Sequence, residues 1–437
     1  MKIIIATTPQ PGHLNPLLTA GRLLIDAGHE VHVTSGSPYR EKAEAIGARF
    51  TPLLPSADLD MANIDALFPQ RKTLTPGPEQ IRFDCERVFI DTIPAQFETL
   101  ENILREFHAD LILVDTLFAG TLPFLLGARP TRPKIVGLGV TFLPLHRDDH
   151  APHFMGLLPT EEPSLLETYQ QLATQVDKDF DSPIRAYTDT VLARLGASAL
   201  PMPFFDALVT LPDLFLQPTV ASFEYPRRDL PQSVHFIGAL PLVSSSLVTS
   251  DIHAALDSGK RVILVTQGTI ANADLGQLIG PTLTALADRD DVMILATTGG
   301  RAISEIPADI PANALVTTFL PFDQIMPNVD VLVTNGGYGT VTQALSLGIP
   351  LAVAGLTEYK PEVAARVAWC GAGIDMRIDK ATPAQISDAV DALLSDPRYK
   401  SRAVEIGGEF ARADGPSQLC EWLVSLVDVR AEAEVDQ

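Results

Sequence analysis

Four short segments of this 437-residue chain bring together residue types that bond-making chemistry needs. The first is Thr8-Pro9-Gln10-Pro11-Gly12-His13-Leu14-Asn15-Pro16. It follows the β-branched run at residues 2–6, so it falls at the carboxyl end of a first strand. Open α/β sheets bind ligands at that edge. Gly12 permits a tight turn, and His13 stands at the start of the next helix, facing the crevice. A neutral imidazole so placed takes a proton from an incoming hydroxyl. The second segment is Asp110-Leu111-Ile112-Leu113-Val114-Asp115. Asp115 ends an apolar strand on the same edge, where a carboxylate can hold the second ring nitrogen of His13 and fix its tautomer. Asp110, before the strand, reads as a turn residue.

The third segment, Thr334-Asn335-Gly336-Gly337-Tyr338-Gly339-Thr340, lies between a strand and a helix. Its glycines let backbone N–H groups approach a ligand, and the helix start adds free donors and the positive end of a dipole. That is a phosphate cradle, with the Thr340 hydroxyl as a further donor. The fourth, Thr266-Gln267-Gly268-Thr269, ends another strand, and Gly268 and Thr269 can also touch phosphate there. Plainer readings compete: a packing histidine, an N-cap aspartate, ordinary βα turns. His146, Asp148, Asp149, His150 and His153 crowd one irregular stretch. Their spacing matches no common metal site, so a solvated polar loop is expected there and no metal.

The elements that must position these residues alternate. Strands at 2–6, 30–34, 111–114 and 134–138 alternate with helical periodicity; Leu14, Leu17, Leu18, Leu24 and Ile25 define the first helix, and Gly28 stops it. A long helix is expected over 79–107, kinked or broken at Pro94. Residues 141–163, rich in Pro, His and Asp, read as a long loop of the kind that serves binding. Residues 240–251, with Pro241 and Ser244–Ser246, read as a linker. The pattern then restarts, with strands at 261–266, 292–297, 331–334 and 351–353. Helices follow at 273–287, 338–347, 383–394, 398–412 and 416–427. Such alternation predicts an α/β chain of two doubly wound parallel sheets with a cleft between them. The first domain covers 1–240, a connection 241–255, the second domain 256–412, and a final helix and tail 413–437.

Composition agrees. The length exceeds what one core supports. Apolar residues make up 46% and charged residues 20%, an ordinary globular balance. A net charge of −22 argues against nucleic-acid partners and against docking on anionic lipid. Cys85, Cys370 and Cys420 form no C-x-x-C pair, which suits a reducing cytoplasm. No segment approaches the ~20 apolar residues that span a bilayer. A nicotinamide dehydrogenase does not fit, because no G-x-G-x-x-G follows the first strand.

Taken in order, the segments resemble the family 1 glycosyltransferases of GT-B fold, in the bacterial and fungal branch acting on lipophilic small molecules. The resemblance spans nearly the whole chain. It rests on Pro11-Gly12-His13-Leu14-Asn15-Pro16, Leu23-Leu24 and Gly28-His29-Glu30-Val31 in the first half. In the second it rests on Phe319-Leu320-Pro321, Asp330-Val331-Leu332-Val333-Thr334, Gly336-Gly337-Tyr338-Gly339-Thr340, Gly348-Ile349-Pro350 and Gly371-Ala372-Gly373. It implies an inverting hexosyltransferase. A UDP-sugar or dTDP-sugar sits on the second domain and the acceptor on the first, above His13, with Asp115 in support. The resemblance implies no metal and no cofactor beyond the donor. Phe319 would stack on the base where many relatives carry Trp, the 141–163 loop would line the acceptor pocket, and hinge closure is expected. The last helix, with Leu419, Trp422, Leu423 and Leu426 on one face, would cross back to the first domain. A monomer or weak dimer is expected.

The sequence departs from the family pattern where the donor is read. Asn335 replaces the usual histidine and cannot become cationic. Gln343 replaces a glutamate on the ribose, without charge assistance. Tyr359-Lys360, preceded by Glu358, replaces the Asp-Gln pair that holds the sugar hydroxyls. A lysine there can read a hydroxyl or a carboxylate. Two other readings share the architecture: a sugar-nucleotide isomerase of the UDP-N-acetylglucosamine 2-epimerase type, and a non-catalytic partner protein.

Overall fold

The computed structural model describes residues 1–75, 77–241, 248–269 and 272–435. The first sheet is built from β1 (Lys2–Ala6), β2 (Glu30–Ser35), β3 (Arg49–Pro52), β4 (Leu111–Asp115), β5 (Lys134–Leu138), β6 (Leu214–Gln217) and β7 (Val234–Phe236). Its strand order is β3-β2-β1-β4-β5-β6-β7. The second sheet contains β8 (Arg261–Thr266), β9 (Val292–Thr297), β10 (Ala314–Thr317), β11 (Val331–Thr334), β12 (Leu351–Val353) and β13 (Gly373–Asp375). Its order is β10-β9-β8-β11-β12-β13. Every strand pair is parallel. The chain is therefore an α/β protein of two Rossmann-like sheets, and strand order reverses at β1/β4 in one and at β8/β11 in the other. Crevices open at those two places.

The apolar runs follow from burial on both faces. Ile3 and Ile5 of β1 pack with Leu14 and Leu17 of the helix Pro11–Asp26. Ile4 and Ala6 point the other way, onto Phe97, Leu100 and Ile112. The helix Gly415–Val435 closes the first face: Leu419 and Leu423 are fully buried in the first-sheet core, and Trp422 stacks on His235 with ring centroids 3.8 Å apart.

Three elements differ from the sequence expectation. The helix expected over 79–107 is two helices, Pro78–Asp84 and Ile93–Glu106, joined by a wider π-type turn, Cys85–Ile90. Pro94 lies in the first turn of the second, where its missing N–H costs nothing. The helix expected over 273–287 is confined to Ile279–Ala285. Of the connection at 241–255, residues 242–247 lie outside the described residues, whereas Ser250–Leu256 is a helix whose Ile252 and Ala255 are buried in the second-sheet core. Helices Pro163–Val176, Ser182–Arg194 and Phe204–Thr210, between β5 and β6, carried no sequence signal strong enough to single out. Among the described residues no helix is long and apolar enough to cross a membrane.

Candidate active site

β1 and β4 are neighbours in register, with Ala6 opposite Val114. That pairing brings the turn after β1 against the end of β4. His13 Nδ1 lies 2.8 Å from Asp115 Oδ1. Asp115 is 1% exposed and collects three further donors: the Thr8 N–H at 2.6 Å, the Leu117 N–H at 2.8 Å and the Thr8 hydroxyl at 3.3 Å. Burial alone would raise the Asp115 pKa. The charge and hydrogen bond of His13, with the two backbone N–H groups, outweigh burial and hold it below the ordinary carboxylate range. An ionised carboxylate only accepts, so Nδ1 carries a proton, and in the neutral ring the lone pair is on Nε2 of His13. The His13 side chain is 11% exposed, so the ring is held by protein and only its edge is open. A Cβ at Gly12 would meet nothing within 4 Å. This arrangement can accept a proton and stabilise the resulting imidazolium.

In the second domain, β11 pairs with β8 with Thr334 opposite Thr266, so the third and fourth segments adjoin. Asn335 Nδ2 donates to the Gln267 carbonyl at 2.6 Å and ties the two turns together. Gly336 adopts φ +92°, a left-handed conformation costly for other residues. Gly337 caps the helix Tyr338–Ser346, and a Cβ at Gly337 or Gly339 would meet nothing within 4 Å. The first N–H groups of a helix have no intrahelical acceptor. Gly339 is exposed and Thr340 half-buried, which puts their N–H groups at the open face. Gly268 has φ +72° and donates its N–H to the Thr266 hydroxyl at 3.2 Å; Thr269 beside it is exposed. Phe319 is 57% exposed with its ring edge against Gly300, while Leu320 is buried in the core.

Lys360 departs from the picture of a free reader of sugar. Its Nζ donates to Glu358 at 2.6 Å and to the Thr357 hydroxyl at 3.2 Å, and its side chain is 5% exposed. Its stem passes across Gly355, where a Cβ would fall 2.9 Å from Lys360 Cδ and 2.3 Å from the Asn335 carbonyl oxygen. Lys360, Asn335, Gln267, Gln277, Thr357 and Asp379 surround a void of about 10 Å³, room for one water. Tyr359 packs against the core instead, and burial pushes its phenol up. Gln343 lies away from that void, on a cavity of about 300 Å³ beside Leu240, Pro241 and Phe410.

Sequence reasoning missed the residues that join the two domains. Gln217 Nε2 donates to the Thr141 carbonyl and to the Tyr338 hydroxyl, each at 2.7 Å. Arg366, 1% exposed, binds Glu224 at 2.8 Å and Glu362 at 2.9 Å, and Glu362 accepts the Gly156 N–H at 3.0 Å. The only available signal was charged residues inside apolar patterns, which does not name a partner more than a hundred positions away.

The chain is similar to known proteins over nearly its whole length. Residues 281–426 match the model of the Erythromycin biosynthesis protein CIII-like, C-terminal domain. The chain is 34% identical to 4'-demethylrebeccamycin synthase of Lentzea aerocolonigenes, over 98% of this chain and 99% of that protein. It is 30% identical to UDP-glucosyltransferase B1 of Starmerella bombicola, over 94% of this chain and 95% of that one. Among solved structures, the glycosyltransferase of kitacinnamycin superposes with a TM-score of 0.73 at 20% identity, covering 97% of this chain and 98% of that one.

Proposed function

The chain belongs to the family 1 glycosyltransferases of GT-B fold, a class that moves hexoses from nucleotide sugars to small molecules, and from that membership we propose its substrates and the role of each residue. The donor is UDP-glucose, and the acceptor is a hydroxyl on a lipophilic scaffold. The Starmerella relative's name supports that sugar and nucleotide. His13 Nε2 removes the acceptor proton as the acceptor oxygen forms a bond to the anomeric carbon. The bond from that carbon to the diphosphate oxygen breaks on the opposite face, and its electron pair leaves with UDP. One displacement of this kind inverts the anomeric configuration. Asp115 stabilises the imidazolium and fixes its tautomer.

The leaving diphosphate gains charge as the bond breaks. The Gly336-Gly337 turn and the N–H groups and hydroxyl at Gly339 and Thr340 offer preorganised donors for it, with Gly268 and Thr269 across the crevice. This set needs neither a metal nor a cationic side chain. Phe319 supplies an exposed face for the base, and Gln343 a hydroxyl partner for the ribose. Glu358, held by Lys360, presents an acceptor toward the sugar, with Asn335 behind the pair. We place the enzyme in the cytoplasm, a reading supported by three free cysteines, and take it to be a monomer or weak dimer.

The His13–Asp115 hydrogen bond at the mouth of the first crevice carries this reading. A donor-by-acceptor screen read by mass spectrometry tests it. A mass gain of one hexose on phenolic, polyketide, terpenoid or lipid alcohols, strictly dependent on acceptor, is expected. Conversion of the donor without acceptor would favour an isomerase, and no product with any pair would favour a non-catalytic protein.

A further inference from the structure

The 141–163 loop holds a second cluster of side chains that the transfer reaction does not use. His146 sits between two aspartates from distant parts of the chain. Its Nδ1 lies 2.5 Å from Asp206 Oδ2, its backbone N–H donates to Asp206 Oδ1 at 3.0 Å, and its Nε2 lies 3.4 Å from Asp181 Oδ2. His153 crosses the same ring, with centroids 4.7 Å apart. It is 9% exposed, and its Nε2 is buried without a hydrogen-bond partner. Buried polar atoms left without partners are rare and call for an explanation. One ligand atom each from His146, His153 and Asp206 lies within 4.8 Å of the others.

We propose that His146, His153 and Asp206 form a site for Zn²⁺, with a water as the fourth ligand. Two imidazoles, one carboxylate and one open position suit a four-coordinate zinc ion, whereas Mg²⁺ and Ca²⁺ require oxygen sets. Asp181, on the other side of the His146 ring, adds negative charge beside the ion without binding it. The neighbouring cations are already engaged. Arg147 pairs with Asp149, and Arg227 donates to the carbonyls of Leu145 and His146 at 2.8 and 2.7 Å. Those two bonds also fix the backbone that carries His146. Asp206 sits in the helix Phe204–Thr210, so the ion would clamp the loop after β5 to that helix. Of the five loop residues singled out by composition, only His146 and His153 belong to the site. Their partner Asp206 is supplied by the fold.

The full chain, stripped with a chelator and dialysed, is titrated with Zn²⁺ alone against a chromophoric competitor. One equivalent is expected to bind, survive gel filtration and raise the melting temperature. Co²⁺ in its place should give the visible absorption of a tetrahedral ion. His153→Gln and Asp206→Asn are each expected to weaken Zn²⁺ at least tenfold. His146→Gln, at a half-exposed ring, gives the same readout if a buried variant fails to fold. No stoichiometric Zn²⁺ on the native chain, equal affinity in all three variants, or equal binding of Mg²⁺ would overturn the site. His146 would then be a plain ion-pair partner of the two aspartates.

Discussion

His13 and Asp115 were legible because each is tied to a local feature, a turn after one strand and the last residue of another. Parallel pairing of those two strands then requires them to meet. Replacing Asp115 by Asn leaves the ring contact possible but removes the charge that fixes the tautomer and steadies the imidazolium. Turnover of Asp115→Asn is expected to fall by about 10²–10⁴-fold with acceptor KM little changed, as steady-state kinetics would read. The depressed pKa of Asp115 adds a pH signature. A carboxylate whose folded pKa is lowered stabilises the fold above its unfolded pKa and loses that contribution as pH falls through the folded value. The melting-temperature advantage over Asp115→Asn should therefore be full at pH 6 and shrink progressively below pH 4. Thr340→Ala removes one donor to a charged oxygen. It should weaken UDP by about 1.5–3 kcal/mol in calorimetry while sparing the chemical step of bound substrates. Lys360 was the residue least legible in the sequence. Its identity suggested a free cation, whereas the turn 357–360 gives it Glu358 as an immediate partner.

At the scale of elements, strand–helix alternation showed both sheets but not how their neighbours touch. The helix boundary near Pro94 followed from local chemistry, since proline is welcome only in the first turn. The π-type turn before it depends on packing against the helix Ser182–Arg194, which no local pattern encodes. Gly139 illustrates a long-range demand of the same kind. It follows β5, and a Cβ there would fall 2.1 Å from Gln217 Oε1. Gln217 must lie flat across that backbone to reach Thr141 and Tyr338. Gly139→Ala is therefore expected to cost about 1–3 kcal/mol in urea denaturation and to separate β6 from the second domain. Ala at Gly12, where no neighbour intrudes, should leave stability nearly unchanged.

For the whole molecule, the sequence made two domains and a cleft expected, and length alone argued for more than one core. It did not show what holds the halves together. The buried cluster of Arg366 with Glu224 and Glu362 does so, because the two glutamates come from opposite sides of the cleft. Removing the arginine strands two carboxylates in a dry interface. Arg366→Met should lose about 3–5 kcal/mol, seen as a lower urea midpoint. The net charge of −22 fits the same picture. In the proposed donor site a diphosphate is received by neutral N–H groups at a helix start, so an acidic chain can bind an anion without a basic patch. Removal of the acceptor proton by His13 is tested most directly by turnover of His13→Ala with UDP affinity recorded on the same sample. Loss of transfer with UDP affinity near that of the native chain is expected; transfer at a native rate would overturn the role of His13 as base.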